Sequence, residues 1–177
     1  MSLKYAILVL LRSEPGSGYD LAQRFKLTLG NFWNASHQQI YLELKKLSEE
    51  GLLEYTVEHQ TDKPDRKVYS ITSLGISALQ GWMRIPVSPP RINDAFLVKL
   101  YGAQPQDLEI IRAELVQHRI IHRQQLEKFQ ALEQFFIQAD VARRREFQMP
   151  YLTLRRGIKS EEAWLSWADE VESTLFQ

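Results

Sequence analysis

Apolar side chains recur every three or four positions at the start of the chain, with no proline or glycine before Pro15. This spacing places them on one face of a helix, so residues 3–13 are predicted to form a first helix. The same pattern resumes after a break at residues 15–18. We expect this second helix to end at Gly30, with that glycine as its C′ residue.

A third helix is predicted from a capping signal. Ser36 lies three residues before Gln39, which is the spacing of a capping box, and a helical apolar pattern follows. Gly51 closes that pattern. These residues therefore bound a helix of about four turns.

The period then changes from helical to alternating. Apolar and polar residues alternate over residues 53–57 and again over 69–71, with a polar, proline-containing segment between them. This alternation predicts a β-hairpin. A fourth helix follows, with Thr72 or Ser73 as its N-cap.

A proline-rich segment divides the chain. Residues 85–91 contain three of the seven prolines and cannot continue a helix. We place a linker at residues 86–92, between an N-terminal domain of residues 1–85 and a C-terminal domain of residues 93–177.

The C-terminal domain has helical spacing throughout. Asn93 is expected to cap a short helix over residues 94–101 that ends at Gly102. A much longer pattern runs from residue 104 to about 138, and a last helix is predicted over roughly 149–175. The sequence thus predicts a mainly α protein with a small β-hairpin.

Composition and charge exclude several classes of protein. There is no cysteine, which rules out disulfides, thiolate metal sites and thiol nucleophiles. The longest apolar run, residues 5–11, is far shorter than the roughly 18–20 residues of a membrane span. We therefore expect a cytoplasmic protein.

The net charge is zero, with 22 basic and 22 acidic residues. Nucleic-acid binding proteins often carry bulk positive charge, which this chain lacks. Any contact with DNA must therefore depend on where individual charges lie.

The order of the N-terminal elements is that of a winged helix-turn-helix module. In such a module the third helix enters the major groove, where we expect His37, Gln38 and Gln39 to contact base edges. Ser36 and Tyr41 are expected to contact phosphates. The predicted DNA-binding residues on the helices are Tyr19, Ser36, His37, Gln38, Gln39, Tyr41 and Lys45.

The hairpin supplies a second candidate contact. Lys63, Arg66 and Lys67 lie close together at its turn, where each could replace a counterion on a phosphate. A solvated turn is the alternative, because Asp62 and Asp65 lie among these cations.

Three motifs in order resemble those of PadR-like transcriptional regulators: GYDL at residues 18–21, IYxxLxxL at 40–47 and RKxYSIT at 66–72. Further segments resemble the virulence-activator, or AphA-like, branch of that family: FWxASHQQ at 32–39, KPDRK at 63–67 and LTLRRG at 152–157. The resemblance covers essentially the whole chain.

This resemblance implies an N-terminal winged helix and a C-terminal all-helical, antiparallel dimerisation domain. It implies a homodimer that binds promoter DNA, without catalysis, cofactor or metal. The family contains repressors and this branch contains activators, so the sign of regulation stays open. Some members bind a small-molecule effector, whose identity here also stays open.

The apolar residues of the C-terminal domain support the dimer independently. Two or three long, one-sided helices cannot bury their apolar faces within so few residues, and antiparallel packing with a second copy would cover them. The predicted interface residues are Phe96, Leu97, Leu100, Leu115, Phe129, Leu132, Phe136, Leu152, Trp164, Trp167 and Val171.

Three other features in this domain have alternative interpretations. His118 and His122 share a helix face and could hold a metal, but no third ligand has persuasive spacing, which favours a polar seam. Arg143–Arg145 is a DNA patch or a solvated turn. Trp164 and Trp167 either line a ligand cavity or pack in the core.

Catalysis is not expected. The chain has no glycine-rich phosphate loop and no nucleophile elbow, and its adjacent carboxylates diverge by about 100° on helices. The alternative function is a dimeric winged-helix adaptor that binds another protein. A surface that combines the hairpin cations with Gln38 and Gln39 would favour DNA binding over the adaptor.

Overall fold

The computed structural model describes residues 3–59, 65–89 and 91–176, and its contacts divide these residues into two compact units between Pro90 and Arg91. The boundary falls inside the segment 86–92. None of the helices in the described ranges is long and apolar enough to cross a membrane.

The first unit contains four α-helices and a three-stranded antiparallel sheet with the strand order β1-β3-β2. The helices are α1 Leu3–Ser13, α2 Gly18–Leu27, α3 His37–Glu49 and α4 Ser73–Met83. The strands are β1 Gly16–Ser17, β2 Leu53–Glu58 and β3 Arg66–Ile71. The hairpin of β2 and β3 pairs Leu53 with Ile71 at its base and Glu58 with Arg66 at its outer end.

One face of each helix in this unit forms a shared core. Ile7, Leu21, Ile40, Leu44 and Leu79 are at most 1% exposed. Burial of a side chain of this size stabilises the fold by about 1.5–3 kcal/mol. This core therefore fixes which sides of α2 and α3 remain on the surface.

Helix ends follow the sequence signals in two places and differ in a third. Thr72 caps α4 through its Oγ1, and Gly51 ends α3 at φ +70°, a conformation that favours glycine. Gly30 is not the C′ residue of α2: that helix ends at Leu27, and Gly30 lies in a separate 3-10 turn. The hydroxyl of Thr28 donates to the Arg24 carbonyl and satisfies the end of α2 earlier than predicted.

The strand β1 was not predicted. Gly16 and Ser17 pair with Tyr69 and Val68 of β3, and Ser17 is also the N-cap of α2. Two residues are too few to show an alternating pattern, so periodicity could not reveal this strand.

The second unit is all-helical. It contains α5 Ala95–Gly102, a 3-10 turn at Pro105–Asp107, α6 Leu108–Gln138, α7 Val141–Glu146 and α8 Gln148–Leu175. The predicted cap Asn93 is wrong: Asp94 caps α5, and its carboxylate accepts hydrogen bonds from the amides of Phe96 and Leu97. The short helix α7 was not predicted.

The helices α6 and α8 pack against each other in antiparallel orientation. Arg112 near the start of α6 pairs with Glu172 near the end of α8, and Glu133 near the end of α6 pairs with Arg155. Between them the helices come close at Gly157, where an added Cβ would lie 2.9 Å from Cε2 of Phe129. The long helices thus bury part of their apolar surface within one chain.

Two glycines of α4 allow a matched test of packing. An alanine Cβ at Gly75 would lie 2.3 Å from the Leu52 carbonyl oxygen, whereas one at Gly81 would meet no described atom within 4 Å. We expect Gly75→Ala to lower the free energy of unfolding by about 1–3 kcal/mol through this overlap. Gly81→Ala should raise it by about 0.5–1 kcal/mol through helix propensity. Urea unfolding followed by circular dichroism measures both, and equal effects would contradict the packing of α4 on the Leu52 backbone.

Candidate nucleic-acid interface

The N-terminus of α3 is held by the capping box that the sequence predicts. The backbone N–H of Gln39 donates to Ser36 Oγ at 3.2 Å, and the backbone N–H of Ser36 donates to Gln39 Oε1 at 2.9 Å. His37 and Gln38 lie on the same turn and are exposed. The cap uses one lone pair of Gln39 Oε1 and fixes the orientation of that side-chain amide, whereas the side-chain amide of Gln38 is not used by the cap.

Tyr41 connects α3 to the start of α2. An added Cβ at Gly18 would lie 2.5 Å from Cε1 of Tyr41, so the ring lies directly over the glycine backbone. Tyr41 is nevertheless 48% exposed, and Tyr19 is 61% exposed beside Gly18. One turn further along α3, Lys45 is exposed, with its ammonium 3.8 Å from Glu49.

The wing, meaning the β2–β3 hairpin, carries an aromatic pair. The rings of Tyr55 and Tyr69 are 5.7 Å apart, and the Lys67 ammonium lies 4.1 Å from the centre of the Tyr55 ring. Burial raises the pKa of Tyr69, and the nearby phenols of Tyr55 and Tyr41 add to that rise. The strand β1 links this pair to α3, because Gly16 pairs with Tyr69 and Gly18, two residues later, lies under the ring of Tyr41.

Arg66 lies at the outer end of the same hairpin but is paired with acids. Its Nε donates to Glu58 at 2.6 Å, and its guanidinium lies 3.9 Å from Asp20 on α2. The hydrogen bond to Glu58 raises the pKa of Arg66, and the two carboxylates balance its charge. Lys63, the third predicted wing cation, lies outside the described residues.

Asp20 is a functional candidate that sequence reasoning missed. Its Oδ2 accepts hydrogen bonds from the Ser17 amide and hydroxyl at 2.9 and 2.8 Å, which lower the pKa of Asp20. Ser17 and Asp20 have the same spacing as Ser36 and Gln39, so a search for a second capping pattern would have found them.

The predicted interface residues of the second unit divide by burial. Four of them are buried in their own chain: Phe96, Leu115, Phe129 and Val171. Four others are half-buried: Leu100, Phe136, Trp164 and Trp167. The remaining three, which are exposed, are Leu97, Leu132 and Leu152. The exposed group contains the side chains that are free to contact another molecule.

The two tryptophans and two histidines form one packed cluster. Trp164 stacks on His122 at 3.8 Å between ring centres and lies edge-on to Trp167 at 5.8 Å. Nδ1 of His122 contacts Glu161, and His118 lies 5.0 Å from Phe96. This arrangement is a polar and aromatic seam between α6 and α8. Arg143–Arg145 lie on the exposed helix α7.

Comparison with known proteins places both units in one family. The model of the transcriptional regulator PadR-like family matches residues 7–81, and the model of the virulence activator alpha C-terminal domain matches residues 92–175. A relative in Mycobacterium tuberculosis, named a probable transcriptional regulator, is 34% identical over 99% of this chain and 98% of its own length. The chain belongs to the PadR-like family of transcriptional regulators.

Solved structures of PadR-like proteins match the chain along nearly its whole length. Bacillus subtilis PadR in complex with operator DNA has a TM-score of 0.82 and 30% identity, over 98% of both chains. The Vibrio cholerae virulence activator AphA has a TM-score of 0.76 and 35% identity, also over 98% of both chains. A further structure of B. subtilis PadR contains p-coumaric acid, with a TM-score of 0.75 and 28% identity over 99% of this chain and 96% of the other.

These matches confirm the predicted family, its virulence-activator branch and the winged-helix fold class. The PadR-like relatives are named as transcriptional regulators, which also confirms that this chain is a transcriptional regulator and not an enzyme.

Substitutions of the two glutamines in the first turn of α3 should distinguish a residue with a structural role from an exposed one. Gln39→Ala removes the capping-box acceptor and should lower the free energy of unfolding by about 1 kcal/mol. Gln38→Ala removes an exposed side chain and should change it by less than about 0.5 kcal/mol. Urea unfolding of both variants measures the difference, and equal stability would contradict the structural role of Gln39.

Proposed function

We propose that this chain binds promoter DNA as a sequence-specific homodimer. The observation that carries the proposal is the exposed first turn of α3, next to Tyr41, whose ring packs over Gly18 directly after β1, the strand that pairs with the wing. Gly16 and Ser17 of that strand pair with Tyr69 and Val68 of β3, and Lys67 lies over the ring of Tyr55, which is 5.7 Å from the ring of Tyr69. The solved complex of B. subtilis PadR with operator DNA supports DNA binding by a chain of this fold.

The exposed side chains suggest a division of roles. His37 and Gln38 are the proposed base readers, since neither is used by the capping box and a glutamine amide can pair with adenine. Tyr19, Ser36, Tyr41 and Lys45 are proposed phosphate contacts, and they include neutral donors as well as a cation. On the wing, Lys67 is the proposed phosphate contact among the described residues, with Lys63 near it in sequence.

The alternative function, a dimeric winged-helix adaptor that binds another protein, has less support. Lys67 is an exposed cation on the hairpin that β1 connects to Tyr41 of α3, as DNA binding requires, and the relatives are named as regulators of transcription. The curated B. subtilis PadR is a negative regulator, while V. cholerae AphA is an activator, so the proposal covers DNA binding and not the sign of regulation.

A second copy of the chain is the proposed partner of the second unit. Exposed apolar side chains remain on its long helices after α6 and α8 have packed, among them Leu132 at 44% and Phe135 at 75% exposed. A twofold partner would bury such residues and present two recognition helices to successive major grooves. We propose that the interface uses the exposed residues Leu97, Leu132 and Leu152, and that half-buried residues lie at its edge.

A cytoplasmic location is part of the proposal, because promoter DNA is the target. The p-coumaric acid complex of B. subtilis PadR supports a small-molecule effector for this chain as well, of a chemistry that its residues do not specify.

The proposed roles predict two different losses of DNA affinity. Gln38→Ala should weaken binding to cognate DNA by about 1–3 kcal/mol and leave binding to a scrambled duplex unchanged. Lys67→Ala should weaken binding to every duplex. It should also reduce the slope of the logarithm of the binding constant against the logarithm of the salt concentration by about one per wing. Fluorescence anisotropy on the DNA upstream of the gene and on a scrambled duplex, over a series of salt concentrations, measures both effects.

The matched control for these variants is Gln130→Ala, on the exposed surface of α6 in the other unit. It should bind both duplexes as the wild type does. If Gln38→Ala and Lys67→Ala weakened both duplexes equally, the division between base readers and phosphate contacts would be wrong.

The dimer predicts a mass of twice 20.7 kDa in sedimentation equilibrium at micromolar concentration. Leu132→Glu should shift the population toward monomer, because it would bury an unpaired carboxylate in the interface. Gln130→Glu adds the same charge at a polar, exposed position of the same helix and should leave the dimer intact. A monomeric wild type would exclude the proposed homodimer.

A further inference from the structure

Arg66 closes a ring of contacts that joins the wing to the recognition module. Its guanidinium links Glu58, at the end of β2, to Asp20 in the first turn of α2. Asp20 in turn accepts two hydrogen bonds from Ser17. Ser17 belongs to β1, which pairs with Val68 of β3, two residues from Arg66 itself. The ring thus runs from β3 to α2 and back to β3 through β1.

The next residue along the strand is in a different electrostatic situation. Lys67 forms no ion pair with any residue of the described ranges, and its ammonium lies over the neutral ring of Tyr55. Arg66 has two carboxylates close to one guanidinium, so its charge is already compensated within the chain. Arg66 would therefore add little to the binding free energy of a phosphate unless it first lost its contacts with these carboxylates.

The geometry also suits arginine rather than lysine. A guanidinium is planar and presents several donors in fixed directions, so it can face two carboxylates on different elements at once. A lysine ammonium is a point charge at the end of a flexible chain. Each contact of Arg66 is partly exposed and weak alone, but together they tie the outer end of the hairpin to α2, while β1 pairs with the middle of β3.

We propose that Arg66 is a positioning residue, which holds the wing against the first turn of α2, and that the phosphate contacts of the wing are made by other cations. This role of Arg66 rests on the proposed DNA-binding function, to which Arg66 would contribute by positioning the wing.

The test compares Arg66→Gln, Arg66→Lys and Lys67→Gln with the wild type on a 30-base-pair duplex of arbitrary sequence, over about 50–200 mM salt, by fluorescence anisotropy. Lys67→Gln should reduce the salt slope by about 0.9 for each phosphate that the lysine neutralises in the wild type. Arg66→Gln should weaken binding about three- to tenfold at every salt concentration and leave the slope unchanged. Arg66→Lys should behave like Arg66→Gln, because charge alone does not restore the ring.

A second measurement needs no DNA. Amide hydrogen exchange of β1 and β3 should be faster in both Arg66 variants than in the wild type, while Lys67→Gln should exchange at the wild-type rate. Global unfolding in urea provides the control for a general loss of stability, and it should move little in any of the three variants.

Two results would overturn the positioning role. In the first, Arg66→Gln reduces the salt slope as much as Lys67→Gln does, and Arg66→Lys has the wild-type slope. Arg66 would then be a phosphate ligand. The other is wild-type exchange in β1 and β3 of Arg66→Gln. Failure of the wild type to bind any duplex would instead overturn the proposed function, and the exchange measurement would still decide the role of Arg66.

Discussion

The burial of one face of α3 is the constraint on which the rest of the first unit depends. Ile40, Leu44 and Leu47 are at most 1% exposed and anchor that face in the core. A helix has a fixed angular spacing between residues, so burying these three leaves Gln38 and Tyr41 on other, exposed faces. His37 lies on the side of Ile40 but is the first residue of the helix, and it is exposed there. The surface chemistry of the helix therefore follows from packing, and the polar residues have only to suit a position that the apolar ones determine.

The boundaries of α3 were predictable from the sequence because they depend on residues close together in the chain. The spacing of Ser36 and Gln39 correctly predicted the start of α3, and Gly51 its end, since both are decided by contacts within a few residues. The end of α2 was not predicted, because a side-chain hydrogen bond from Thr28 competes with the glycine signal at Gly30. The pairing of β1 with β3 joins residues about fifty positions apart, and two residues give no period to detect.

In the candidate site, too, local features were predicted and long-range contacts were not. The predicted helix correctly indicated that His37, Gln38, Gln39 and Tyr41 are exposed, but the sequence treated the wing cations as equivalent. Their difference comes from tertiary contacts: Arg66 meets acids from two other elements, whereas Lys67 meets an aromatic ring. In the second unit, the pattern found the apolar residues of α6 but could not divide them between α8 and an outer surface, because one helix carries apolar residues on both sides.

The close contact of Gly157 with Phe129 has a consequence for how the second unit can move. The ring fits only where α8 has no side chain, so a shift of about 5.4 Å along the helix axis, one turn, would bring Leu154 or Glu161 against it. Both would collide with the aromatic ring. This contact therefore opposes sliding of the two long helices by a turn, while tilting or rotating them about Gly157 would keep the contact.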